Sequence, residues 1–149
     1  MTKYIVKISV LYIFLCTSFA ISQEISNPDD LDDGFHIINL EGGMIYEGEI
    51  LYGDFDGKGK MTYADGSIYS GKWKINMRHG KGIMTWKNGD VYMGQFKNDL
   101  MDGSGTFTFK DGRKYEGNFK NGSFHGKGKI IYNDNQVEKG KWEEGNKIE

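Results

Sequence analysis

From residue 46 to residue 132 the chain alternates apolar and polar residues in short runs. Tyr46, Gly48 and Ile50 take turns with Glu47 and Glu49, and a second run alternates Gly59, Met61 and Tyr63 with Lys60 and Thr62. Alternation with period two marks strands with one apolar face. The pair of runs then recurs every 23 residues. Tyr46, Tyr69, Tyr92 and Tyr115 head the repeats. Gly48, Gly71, Gly94 and Gly117 follow two residues later, and Ile50, Trp73, Phe96 and Phe119 two further on. A Gly-x-Gly comes next in each repeat, at Gly57/Gly59, Gly80/Gly82, Gly103/Gly105 and Gly126/Gly128. Met61, Met84, Phe107 and Ile130 and then Tyr63, Trp86, Phe109 and Tyr132 complete the apolar set. Each repeat therefore reads as two strands, about 46–51 and 59–63 in the first.

The turns decide whether the two apolar sets share a side. Asp65-Gly66, Asn88-Gly89 and Asp111-Gly112 end the first three repeats, with Asp134-Asn135 in the fourth. A two-residue turn would put Tyr69 opposite Tyr63. A three-residue loop, Ala64-Asp65-Gly66, pairs Met61 with Tyr69 and Gly59 with Gly71, so that all rings share one face. Seven residues after each tyrosine position stand Gly53, Asn76, Asp99, Gly122 and Gly145. These residue types predict a left-handed turn position. The expected architecture is all-β: an elongated, single-layer antiparallel sheet of stacked β-hairpin repeats. Facing glycines leave a trough in which a neighbouring ring can lie.

Both ends hold half repeats in the same register. Gly34, Leu40 and Gly42-Gly43 match a back half, and Gly140, Trp142 and Gly145 a front half. Glu138 replaces the tyrosine there, which is the behaviour of a cap. The expected layout is a half repeat at 34–45, repeats at 46–68, 69–91, 92–114 and 115–137, and a half repeat at 138–149.

The stretch Tyr69-Ser70-Gly71-Lys72-Trp73, followed by Arg78-His79-Gly80-Lys81-Gly82 and Asn88-Gly89, resembles the MORN (membrane occupation and recognition nexus) repeat. Tyr115-Glu116-Gly117-Asn118-Phe119 with His125-Gly126-Lys127-Gly128 is equally similar. The resemblance covers about residues 34–145. It implies an elongated antiparallel sheet of stacked hairpins and work as a scaffold, on a membrane surface or with a protein partner. Ile50 and Glu138 depart from the pattern and bear only on the completeness of the outer repeats.

Composition agrees with a β protein. Alanine occurs twice and leucine six times, too rarely for a helix bundle, while glycine occurs 22 times and proline once. The first residues stand apart. Lys3 and Lys7 precede an apolar run from Ile8 to Cys16, and Ser18, Ala20 and Ser22 follow. This is the layout of a secretory signal peptide over residues 1–22, cut after Ala20 or Ser22. The apolar run is too short to span a bilayer, which takes ~20 residues. The expected location is therefore exported: secreted, periplasmic or envelope-associated. Cys16 is the only cysteine, so a processed chain has no disulfide. An acidic arm, 23–33, follows. Residues 23–57 contain ten acids and no Lys or Arg, whereas 58–149 contain 17 bases and 11 acids.

Catalytic constellations are missing from the sequence. Gly66-Ser67-Ile68-Tyr69-Ser70-Gly71-Lys72-Trp73 approaches a phosphate-binding loop, but ends in Trp73 and falls on a hairpin. His79 and His125 lie two repeats apart, roughly 19 Å at ~4.8 Å per strand, too far to share a metal ion. The reading is a non-enzymatic protein with no metal, no small-molecule cofactor and no nucleic-acid partner. The leading expectation is binding to a protein, or to itself, through Tyr69, Trp73, Trp86, Tyr92, Phe96, Phe109, Tyr115 and Phe119. The alternative is peripheral binding to anionic phospholipid surfaces through Lys72, Lys74, Arg78, Lys81, Lys127 and Lys129. Asn121-Gly122-Ser123 is a glycosylation sequon in a eukaryotic secretory route only.

Overall fold

The computed structural model describes the backbone of residues 6–9 and 22–25 and all of residues 31–149. Cys16, most of the expected leader, the expected cleavage position after Ala20 and residues 26–30 of the expected acidic arm lie outside the described residues. Among the described residues, thirteen strands form one antiparallel sheet. They are β1 (Val6–Ser9), β2 (Ser22–Ile25), β3 (Gly34–Leu40), β4 (Met44–Leu51), β5 (Asp54–Thr62), β6 (Ile68–Lys74), β7 (Met77–Thr85), β8 (Val91–Lys97), β9 (Leu100–Thr108), β10 (Lys114–Lys120), β11 (Ser123–Ile131), β12 (Val137–Glu143) and β13 (Asn146–Lys147). From β3 to β13 spatial order follows chain order, and β1 then β2 continue the sheet beyond β3.

The three-residue loop is present as expected. Met61 pairs with Tyr69 and Gly59 with Gly71. The Tyr63 amide donates to the Ser67 carbonyl at 2.9 Å, and Gly66 has φ +90°. Asp65 completes the loop by accepting from the Ser67 amide and hydroxyl. The expected left-handed residues also occur, with φ of 61° at Asn76 and 69° at Asp99.

The second strands differ from expectation: they are nine residues long and start well before the Gly-x-Gly. In β6–β7, Gly71 pairs with Gly82 and Trp73 with Arg78. One residue, Lys72, thus opposes three, residues 79–81. The surplus of two is even, so the apolar residues stay on one face through the bulge. The hairpin turn before it is a two-residue loop with both residues left-handed, for example Ile75 (φ 47°) and Asn76. That is the turn whose twist suits paired strands.

One face is packed by a lattice of rings. Gly48, Gly59, Gly71, Gly82, Gly94, Gly105, Gly117, Gly128 and Gly140 lie in mutual register across β4 to β12. Each repeat's tyrosine lies over its own glycine pair. A Cβ on Gly71 would sit 2.5 Å from both the Tyr69 hydroxyl oxygen and the Gly82 Cα. The four tyrosines are fully buried. Their hydroxyls donate to the carbonyls of Glu49, Lys72, Gln95 and Asn118 at 2.8–3.1 Å, which satisfies the one polar atom buried with each ring. Trp73 meets Tyr46 and Tyr69 edge-on at 5.6 and 5.2 Å, and Phe96 and Phe119 bridge the next tyrosine pairs in the same way. Edge-to-face contacts of this kind are favourable for aromatic pairs.

A fourth position covers the tyrosines. Phe55 and Phe124 stack on Tyr46 and Tyr115 at 3.8 and 3.9 Å. In the second repeat the same place is taken by Arg78, whose guanidinium lies 5.8 Å from the Tyr69 ring and 5.5 Å from Phe96. Repeats are also tied through their turns. The amides of Asn76, Asp99, Gly122 and Gly145 donate to the carbonyls of Phe55, Arg78, Met101 and Phe124 in the preceding repeat. At the C-terminal end, Glu138 pairs with Lys147 at 2.7 Å, and the Lys147 stem lies over Gly140. An ion pair thus takes the place of the tyrosine and closes the lattice with charge.

Candidate functional site: two faces of one sheet

The eight aromatic residues expected to meet a partner divide into two groups. Tyr69, Trp73, Tyr92, Phe96, Tyr115 and Phe119 are at most 5% exposed. These six, expected as contact residues, are instead packed against one another in the lattice, with a glycine pair under each of the three tyrosines. Burial also pushes the phenol of Tyr92 up to about 12, and those of Tyr46, Tyr69 and Tyr115 are raised as well, because an ionised ring would lack solvent.

Trp86 and Phe109 are only partly buried. They stand near the three-residue loops at one margin of the ring face. Trp86 lies 5.4 Å from Phe107, which lies 4.9 Å from Phe109 and 6.1 Å from Phe124. Arg113 reaches over Phe109 at 4.9 Å while bonded to Asp111. The result is a half-exposed aromatic cluster with a cation at its edge. Phe107 and Phe124 were not among the expected contact residues. Phe107 could have been found from its strand parity, which is that of Phe109. Phe124 sits inside the bulged strand, whose extent the sequence pattern does not mark.

The six basic residues divide too. Cross-strand pairing puts Lys72, Lys74, Lys81, Lys127 and Lys129 on the face opposite the rings. Arg78 is on the ring face, paired with Trp73 in register. Its Nε donates to Asp99 Oδ1 at 3.0 Å and its Nη2 to the Asp99 carbonyl at 2.7 Å. Lys129 is bound to Glu116 at 2.9 Å. The basic face is therefore interrupted by acids, Glu47 and Glu49 among them.

His79 and His125 lie on this second face in equivalent bulges, and His36 takes a glycine's place opposite Gly48. His36 Nε2 bonds to the Asp32 carbonyl at 2.7 Å. Among the described residues no three His, Cys, Asp or Glu side chains come together as metal ligands. The segment from Gly66 to Trp73 is loop and strand β6, without a helix to complete a phosphate-binding loop.

The sequence profile of the MORN repeat matches residues 46–68, 69–91, 92–112 and 115–137. No curated protein matches the chain. Solved structures similar in fold include two complexes. One is the TCP10 domain of Danio rerio CPAP in complex with a peptide of Danio rerio STIL, with 15% identity and a TM-score of 0.48 over 73% of this chain. The chain covers 49% of that one, about half its length. The other is the SAS-4 (dCPAP) TCP domain of Drosophila melanogaster in complex with a proline rich motif of Ana2 (dSTIL). It has 18% identity and a TM-score of 0.46, over 86% of this chain and 70% of that chain.

Proposed function

Since the chain belongs to the MORN-repeat family, with four consecutive repeats matched, we propose that it is a non-catalytic repeat scaffold that binds an extended segment of a protein partner. The margin of the ring face receives that segment. The observation that carries the reading is the cluster of Trp86, Phe107, Phe109 and Phe124, whose rings touch one another yet keep exposed area. Large, rigid aromatic side chains beside an arginine are the usual anchors of protein interfaces. The rest of the ring face holds the sheet in shape.

The test uses a displayed library of extended peptides, panned on the intact chain. Enriched peptides are expected to bind with micromolar affinity and to lose about tenfold, ~1.4 kcal/mol, with Trp86→Ala/Phe109→Ala. Peptides indifferent to that double variant would count against the reading. Sedimentation over a concentration series separates self-association from partner binding. Export through residues 1–22 belongs to the same proposal. It is supported by the basic, apolar and small-residue order of that segment, and cleavage there would remove β1 from its place beside β3. N-terminal sequencing of the native protein is expected to begin at Ile21 or Gln23, and a start at Met1 would contradict it.

A further inference from the structure

On the face opposite the rings, packing leaves a charge conflict unresolved. Lys58 and Lys72 are direct cross-strand partners, and like charges placed so destabilise a pair of strands. Neither is ion-paired among the described residues. Lys81, on the next strand, is likewise unpaired. The three lysines line a shallow basin of about 510 Å³. Local conflicts of this sort concentrate where a ligand resolves them.

The rest of the basin is not basic. The Ser70 side chain stands on its floor, opposite Lys60 and Ile83. Lys60 is already bound to Glu47, with Nζ 2.8 Å from Oε1. At the far end Phe35 holds its ring 67% exposed, on the edge of the same basin. Glu49 beside it turns its carboxylate inward to accept from the Lys58 amide at 2.9 Å. The basin crosses β3 to β7, roughly 19 Å at ~4.8 Å per strand.

We infer that this basin binds an acidic oligosaccharide, one carrying carboxylate or sulfate groups on sugar rings. The unpaired ammonium groups of Lys58, Lys72 and Lys81 meet the acidic groups. The face of the Phe35 ring is electron-rich and takes the C–H side of a sugar. Ser70 and the Glu47–Lys60 pair supply donors and acceptors for hydroxyls. A surface that is anionic throughout, such as a sheet of lipid headgroups, gains nothing from Ser70 and is repelled by Glu47. The site lies on the other face from Trp86 and Phe109, so it stands or falls separately from the protein-binding reading.

Isothermal titration of the full chain tests the inference. The probes are an oligogalacturonate, a sulfated oligosaccharide of the heparin type, neutral maltohexaose, inorganic phosphate and phosphatidylglycerol vesicles. At least one acidic oligosaccharide is expected to bind while maltohexaose does not. Lys58→Gln/Lys72→Gln should weaken that binding at least tenfold, and Phe35→Ala severalfold. All three side chains are exposed, so circular dichroism should find the variants folded. Lys72→Gln should also raise the melting temperature of the free protein by relieving the conflict. Failure of both acidic oligosaccharides to bind overturns the proposal. So does binding that phosphate or vesicles match and that Phe35→Ala leaves unchanged, since charge alone would then explain it.

Discussion

At the scale of single residues, the fold rests on what lies under and over each tyrosine. Gly71→Ala puts a methyl group 2.5 Å from a backbone carbon and from the Tyr69 hydroxyl, so strands must part. The expected cost is about 3 kcal/mol in urea unfolding. Tyr69→Phe keeps the ring and loses only its hydrogen bond to the Lys72 carbonyl, for about 1 kcal/mol. Equal costs for the two would show that ring and floor are not in contact. Ile75 is the reverse case. It is β-branched and left-handed, at φ 47°, in a turn that favours Asn and Gly. Ile75→Asn is expected to stabilise the chain by about 1 kcal/mol. This residue also marks a limit of legibility. The second turn position carries Gly, Asn or Asp in every repeat and so declares itself. The first carries Tyr52, Ile75, Asn98, Asn121 and Glu144, a set with no shared chemistry.

At the scale of elements, alternation and loop arithmetic gave the right face for the strands of the four repeats and the right register at the three-residue loops. Strand length was not legible, because the bulge adds two residues without disturbing the alternation. The covering position was hidden for a related reason. Phe55, Arg78, Met101 and Phe124 fall within the bulged strands, and their side chains share no chemistry that a sequence pattern would mark. In the second repeat that role is joined to a turn. Arg78 covers Tyr69 and Phe96 while Asp99 accepts from its amide and its Nε. Arg78→Ala should therefore cost about 1–2 kcal/mol, and Arg78→Phe, which copies the first and fourth repeats, much less. Denaturant midpoints decide it. If Arg78→Phe is as damaging as Arg78→Ala, the ion pair and not the cover is what matters. The candidate site was half legible for the same reason: parity identified the ring face, but only packing separates Trp86 and Phe109 from the rings spent on the core.

For the whole molecule, each repeat touches only its neighbours, so stability is carried by a continuous lattice and not by a central core. The buried phenols make that lattice sensitive to alkali. Their pKa values are raised in the folded chain above the ordinary 10.0, Tyr92 to about 12. A raised value means that the folded state holds its protons more tightly than the unfolded state. The stabilisation is complete below pH 10 and is lost as pH rises through the folded values. Circular dichroism should find the sheet intact at pH 9 and progressively less stable from about pH 10 to 12, with the phenolate absorbance of the four buried tyrosines appearing only as it unfolds. Ionisation of all tyrosines near pH 10 with the sheet intact would contradict this.

The central claim is that each repeat's tyrosine ring lies on a pair of glycines facing one another across adjacent strands. Nuclear Overhauser spectroscopy on the labelled chain reads it directly. Cross-peaks are expected from the Tyr69 ring to the Hα protons of Gly71 and Gly82, which the ring should shift strongly upfield, and likewise from Tyr92 to Gly94 and Gly105. Glycine Hα protons at their ordinary shifts, with no cross-peak to these rings, would contradict the account.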